Sequence, residues 1–296
     1  MSTVTSSAPA ASSATAEAAK AKPRRSKKVE RKPRFAIAVT VAFFFILSLP
    51  IFVVVLFSFN SKNSLSVFGG FSTRWYKEFV HDPTLTGAVG TSLEISAVAM
   101  VGSVILGTML ALGLVRARGK IGGMSNIVML IPLVTPEIVT GVASQILFKG
   151  LGITPSLTTV MLAETTFSIS YVTVILRSRV AALNPEVEEA AMDLGATRIQ
   201  ALRLVTLPAL LPAIMASAVL IFAMIFDDFV LAYFTTGVTP QPISVVIYSA
   251  VRFGVRPSIN ALGTLMLVGS ISLIGLAMFI PRLFGRKGGI DLLSGD

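Results

Sequence analysis

The sequence predicts an all-α membrane protein of six transmembrane helices, and three observations lead there. Hydrophobic residues make up 53% of the 296 and charged residues only 14%, where soluble domains run nearer a quarter charged. Apolar stretches of 19 to 25 residues occur six times, and that length crosses ~30 Å of hydrocarbon at ~1.5 Å rise per residue. Lys and Arg, finally, are crowded into alternate connections between those stretches. The net charge of +10 by itself suggests an anionic partner. Nucleic-acid binders, however, are rich in charge of both signs and poor in long apolar runs, so no nucleic-acid role is expected. The absence of cysteine excludes disulfide scaffolds, zinc knuckles, iron–sulfur ligation and thiol catalysis. A single histidine, His81, leaves no His-rich metal site and no Ser-His-Asp triad. No metal or cofactor is therefore expected.

Residues 1–19 are almost wholly Ser, Thr and Ala, with Glu17 the sole charge, and residues 20–34 carry nine Lys/Arg. Neither piece has apolar periodicity, so 1–34 is expected to be a disordered tail. Phe35–Phe59 follows without a charge, too long for a signal-peptide core and with no small-residue cleavage site after it. It is expected to be an uncleaved first span. The others are Thr91–Val115, Met124–Phe148, Ser156–Leu176, Pro208–Phe226 and Ser258–Ile280. Six spans put both termini on one side. With the N-terminus inside, 19 Lys/Arg are cytoplasmic and 6 are outside, the bias that the positive-inside rule demands. Both termini are thus expected in the cytoplasm, the basic tail against anionic membrane lipid.

The connections are too short for a soluble domain. Trp75 and Tyr76 in the first outer loop are expected at headgroup level, and His81 at the surface. The outer segment 227–257 is semi-apolar and is expected to form a short helix on the outer face. Within the second span, Ala99, Ser103, Gly107 and Ala111 recur at spacing four, a stripe for close helix packing.

The chain has neither GxxxxGK[ST] nor GxGxxG, so nothing in it can cradle a nucleoside triphosphate. Energy for transport has to come from an ion gradient or from another polypeptide, and the chain is not expected to be an enzyme. The inner loop is the most informative stretch. In NPEVEEAAMDLGATRIQALRLVTLP, residues 184–208, Asn184 is a good N-cap and Pro185 suits the first helical position. Val187, Ala190, Ala191 and Leu194 make an apolar stripe at helical spacing. Gly195 stops that helix, Thr197 can cap a second, and Pro208 opens the fifth span. The two alanines allow close approach, while Glu188, Glu189 and Asp193 are available to basic partners. Two interpretations stay open on these grounds: a helix packed on its own bundle, or a surface for another subunit.

The run Glu189-Ala190-Ala191, then Gly195, then Leu207-Pro208 at fixed gaps resembles the EAA signature of ABC-importer permeases, with Val205 in place of the usual Ile. Phe167-Ser168-Ile169-Ser170-Tyr171, Asp227-Asp228-Phe229-Val230, Arg252-Phe253-Gly254-Val255 and Asn260-Ala261-Leu262-Gly263-Thr264 look like its spermidine/putrescine branch, the second permease subunit in particular. The resemblance covers roughly residues 35–285. It implies a type I ABC-importer fold in a bacterial inner membrane, with tails at 1–34 and 286–296. It also implies a second permease forming a heterodimer, two ATP-binding cassette ATPase subunits and an extracytoplasmic substrate-binding protein. The EAA loop (184–208) would dock an ATPase through Glu188, Glu189, Ala190, Ala191, Asp193, Gly195, Leu207 and Pro208. Sugar, ferric iron and phosphonate importers share this machinery, and a gradient-driven secondary transporter is the alternative from another class.

Glu94, Glu137, Glu164, Asp227 and Asp228 fall within or at the end of predicted spans without a Lys or Arg among them. Ionisable groups in lipid are costly unless they face a cavity or a partner. Helical rise puts Glu94 ~5 Å and Glu164 ~12 Å below the outer ends of their spans. Glu137 and Asp227 lie ~20 and ~30 Å from the inner ends of theirs. An acid-lined outer vestibule suits a polycation, with Tyr171 and Tyr233 placed to stack on it. Solvation at span ends is the competing explanation for Glu94, Asp227 and Asp228, and capping of a broken helix after Pro132 and Pro136 for Glu137.

Overall fold

The computed structural model describes residues 34–117, 129–238, 240–253 and 256–285. The expected tails, 1–34 and 286–296, lie outside these apart from Arg34, as do residues 124–128 of the expected third span and Gly254-Val255. The chain divides into two units at Leu49/Pro50. The described part of the first is the opening half of helix α1 (Arg34–Ser58), whose side chains are apolar all round. The second unit holds the rest.

Nearly everything described is helical. Among the described residues five helices are long and apolar enough to cross a membrane: α1, α3 (Pro83–Arg116), α5 (Leu157–Ala181), α8 (Leu207–Asp227, continuous with the turns before it) and α11 (Pro257–Gly285). Helix α3 begins eight residues before the apolar window predicts. Asp82 accepts hydrogen bonds from the Thr84 and Leu85 amides at 2.8 and 3.2 Å, and Pro83 takes the first helical position.

The third expected span is not one helix. Residues 129–134 are helical, the chain breaks at Thr135-Pro136, and α4 (Glu137–Gly150) starts afresh. Pro136 has no amide hydrogen to donate back along the helix, so the ladder ends there. The Thr135 amide and hydroxyl both bond to the Ile131 carbonyl, at 2.9 and 2.6 Å, closing the first half.

The core is built on α3 and α5. Ala99, Ser103 and Ala111 are fully buried, and Gly107 faces α5 so closely that an added Cβ would lie 2.7 Å from Val172. Thr173 donates to the Gly107 carbonyl at 3.3 Å in the same contact. Ile221 and Ile225 of α8 pack on Ile95, Val160 and Val172. After α8 come two short helices, α9 (Val230–Thr235) and α10 (Ile243–Phe253). The Ile243 amide bonds to the buried Ser92 hydroxyl of α3 at 2.9 Å. Ile243 then packs with Leu85, Ala88, Ile259 and Leu262, so α10 is a half-buried wall of the bundle and not merely a surface strip. Helix α9 is held on both sides: Gly141 of α4 meets Phe234, and Thr159 of α5 donates to the Thr235 carbonyl at 2.7 Å.

Trp75 packs inward and does not lie open on the surface of the first outer loop. Trp75, in α2 (Arg74–His81), is 2% exposed, and its indole N–H donates to the Asn60 carbonyl at 2.6 Å. Asn60 is itself buried and ties the loop together through Ser64, Val67 and Gly69. An indole whose one donor is satisfied inside the protein anchors the loop from within. Tyr76 bonds to Ser58 at 2.7 Å, and His81 is exposed.

Candidate functional site

Two sites emerge, at opposite ends of α8. The first is a cavity of about 300 Å³ lined by Glu137, Glu164, Phe167, Ser168, Met224, Ile225, Asp227, Asp228, Phe229 and Val230. Each acid comes from a different structural cause. Glu164 sits two turns into α5 and is 1% exposed. Glu137 is the first residue of α4, placed by the break at Pro136, where a carboxylate meets the positive end of a helix. Asp228 follows the end of α8 and caps α9, accepting from the Val230 and Leu231 amides at 2.7 and 3.3 Å. Ser244 of α10 fixes its backbone with a 2.6 Å bond to the Asp228 carbonyl.

The three side chains interact. Glu164 is within electrostatic reach of Asp228 and Glu137, and Asp228 of Glu137. Among the described residues no Lys or Arg lines the cavity. Carboxyls this close are compensated either by a proton shared among them or by a cation between them. One wall is aromatic. The Phe229 and Tyr248 rings lie 4.4 Å apart, and Tyr233 packs edge-on against Tyr248 at 5.7 Å. Tyr171 stacks on Phe167 at 5.2 Å, within electrostatic reach of Glu137 and Asp228. Among the described residues no three acidic or histidine side chains meet at metal-ligand geometry.

Of the seven candidate pathway residues, the structure brings Glu137, Glu164, Asp227 and Asp228 to one cavity, with Asp227 at its exposed lip. Tyr171 and Tyr233 lie beside it. Glu94 is exposed on α3 and does not line it. Met224 lines the cavity and Tyr248 packs behind Phe229; neither carries a site signal in the sequence, since each belongs to an apolar run with a sufficient core explanation.

The second site is the inner loop. Helix α6 (Pro185–Asp193) is capped by Asn184, which accepts from the Glu186 amide at 3.0 Å. Gly195 turns the chain at φ +94°, a conformation L side chains avoid. Thr197 and Gln200 cap each other's amides at the start of α7 (Arg198–Ala201). A π turn over Leu202–Thr206 then runs into α8, and the Leu207 amide reaches back five residues to the Leu202 carbonyl. The apolar stripe of α6 does not pack inward. Leu194 is 91% and Val187 54% exposed, as are Ile199 and Leu204 beyond them. Glu189, Ala190, Asp193, Gly195 and Pro208 are exposed too, with Ala191 and Leu207 half-buried. Glu188 differs, bonding to Arg116 and Thr206 of its own chain.

Residues 103–287 match the family described as binding-protein-dependent transport system inner membrane component. The chain belongs to this family. It is 38% identical to the putrescine transport system permease protein PotI of Escherichia coli strain K12, over 83% of this chain and 90% of that protein. It is 37% identical to the spermidine/putrescine transport system permease protein PotC of Haemophilus influenzae, over 80% and 92%. In fold it resembles a bacterial ABC transporter involved in import of the acidic polysaccharide alginate, with TM-score 0.65, 16% identity and 86% and 96% coverage. The inward-facing methionine transporter MetNI is also similar, with TM-score 0.54, 17% identity and 73% and 99% coverage. The chain is thus a multi-pass inner-membrane permease subunit of an ABC importer, working with a substrate-binding protein and with ATPase subunits that hydrolyse the ATP.

Proposed function

We propose that this permease forms half of the pathway for a small organic polycation of the putrescine/spermidine class, a second permease supplying the other half. The observation that carries this is the convergence of Glu137, Glu164 and Asp228 on one cavity with an aromatic wall and no basic residue in its lining. Carboxylates attract the ammonium groups, and aromatic faces suit a cation partly stripped of water. An anionic phosphonate meets repulsion in such a cavity, and a neutral sugar has no use for three acids. The names of the relatives support the same substrate class.

In this proposal residues 35–285 are the permease domain, flanked by cytoplasmic tails at 1–34 and 286–296, with the basic tail against anionic lipid. Both termini are cytoplasmic, and the cavity opens toward the outer half of the membrane. The exposed face of α6 and Gly195 docks an ATPase subunit, with Glu189 reaching a basic residue of that partner. Closure of two ATPases then drives alternating access by rigid-body motion.

Uptake of labelled putrescine and spermidine by cells or vesicles carrying the whole transporter tests the pathway. Glu164→Gln and Asp228→Asn are each expected to lower uptake about tenfold, the effect of losing one charged hydrogen bond of ~1.5 kcal/mol, with complex assembly unchanged. Uptake equal to wild type in both variants overturns the acidic pathway. For docking, Glu189→Lys is expected to abolish co-purification of the ATPase subunits.

A further inference from the structure

The tie between α6 and the rest of the bundle runs through one carboxylate. Both oxygens of Glu188 accept from a single guanidinium nitrogen of Arg116, at 2.8 and 2.6 Å. One of them also accepts from the Thr206 hydroxyl at 3.0 Å. Arg116 is the last residue of α3, and the buried Thr206 directly precedes α8. Among the described residues this is the one ion pair between side chains. Glu188 and Glu189 are thus adjacent acids with opposite directions: one turned into its own bundle, the other exposed.

We propose that Glu188 is a positioning residue of the transport cycle, clamping the docking helix α6 to the ends of α3 and α8 so that its displacement reaches the cavity. Both routes are stiff. Helix α3 bears on α5, which holds Glu164, where the Val172 side chain packs directly on Gly107. Helix α8 ends at Asp227, with Asp228 next. An ion pair whose side chains are 47% and 24% exposed contributes little to folding stability. Its effect is therefore expected in coupling, as the one ion-paired connection among the described residues that joins the three elements.

This inference rests on α6 being the ATPase contact, and one experiment separates the two. The complete transporter, with its binding protein, is reconstituted in liposomes. Retained ATPase subunits and putrescine molecules imported per ATP hydrolysed are measured. Glu188→Gln and Arg116→Gln are each expected to keep the ATPases bound while the import ratio falls roughly tenfold, as for loss of a charged hydrogen bond. The exchange Arg116→Glu with Glu188→Arg is expected to recover most of the ratio, which a merely structural role for either residue would not predict. An unchanged ratio in Glu188→Gln, loss of the ATPases from that variant, or no recovery in the exchange overturns the clamp. Retention of the ATPases by Glu189→Lys overturns the docking assignment alone.

Discussion

The two ends of α8 treat carboxylates in opposite ways. At one end Glu188 is matched by the chain's own Arg116 and by Thr206. At the other, Glu164, Asp228 and Glu137 face one another across a cavity with no basic residue in its lining. Helix starts and backbone amides hold two of these acids in place, but amides supply only partial charge. A carboxylate matched by the chain's own cation makes a permanent joint, whereas acids without one suit the travelling cation of the proposed pathway, and the two arrangements are separated by the length of one helix.

Giving the cavity a resident cation breaks that contrast most severely. Ser168→Lys would place an ammonium among the three acids, and juxtaposing a second cation with it costs several kcal/mol. Polyamine uptake is expected to drop about a hundredfold or more, with the complex still eluting intact in size-exclusion chromatography. Wild-type uptake in that variant would remove the cavity from the pathway. Next in size is Gly107→Val, where the new side chain meets Val172 at the α3–α5 contact. Overpacking of this kind costs ~1–3 kcal/mol, so a fall in the melting temperature of the detergent-solubilised complex is expected. Because α3 leads to Arg116 and α5 carries Glu164, both regions should fail together, unlike the single-site variants. The smallest effect sharpens the comparison. Phe229→Leu leaves every charge in place but removes an aromatic face worth ~1 kcal/mol to a cation. The half-saturating putrescine concentration should rise about fivefold, with maximal uptake nearly unchanged.

The local features of the chain were legible before any coordinates. Long apolar windows mark the spans that exist as single helices, and Asn184, Pro185, Gly195 and Thr197 mark the inner loop because caps and turns are short-range chemistry. Pro132 and Pro136 hinted at a broken third span, yet both flanking segments are apolar, so a hydropathy window runs straight through the break. The partner of Trp75 is hidden for a different reason: only the fold of residues 59–72 brings the Asn60 carbonyl under its indole. Glu188 and Arg116 are 72 positions apart, so nothing local pairs them. Tyr248 backs the cavity-lining Phe229 on a helix that Ser92 docks from 151 positions away, a relation that no periodicity encodes.

The π turn at Leu202–Thr206 has a consequence for phase. One extra residue in a helical turn rotates everything after it by about 100° relative to an uninterrupted α-helix. The orientation of α6 and that of the acids at the far end of α8 are therefore set against each other by a single residue. Deleting one residue within 202–206 would leave composition, charge and apolar length almost untouched. It would nonetheless turn Thr206 away from Glu188 or Asp227 away from the cavity, as a camshaft loses its timing when one tooth is skipped.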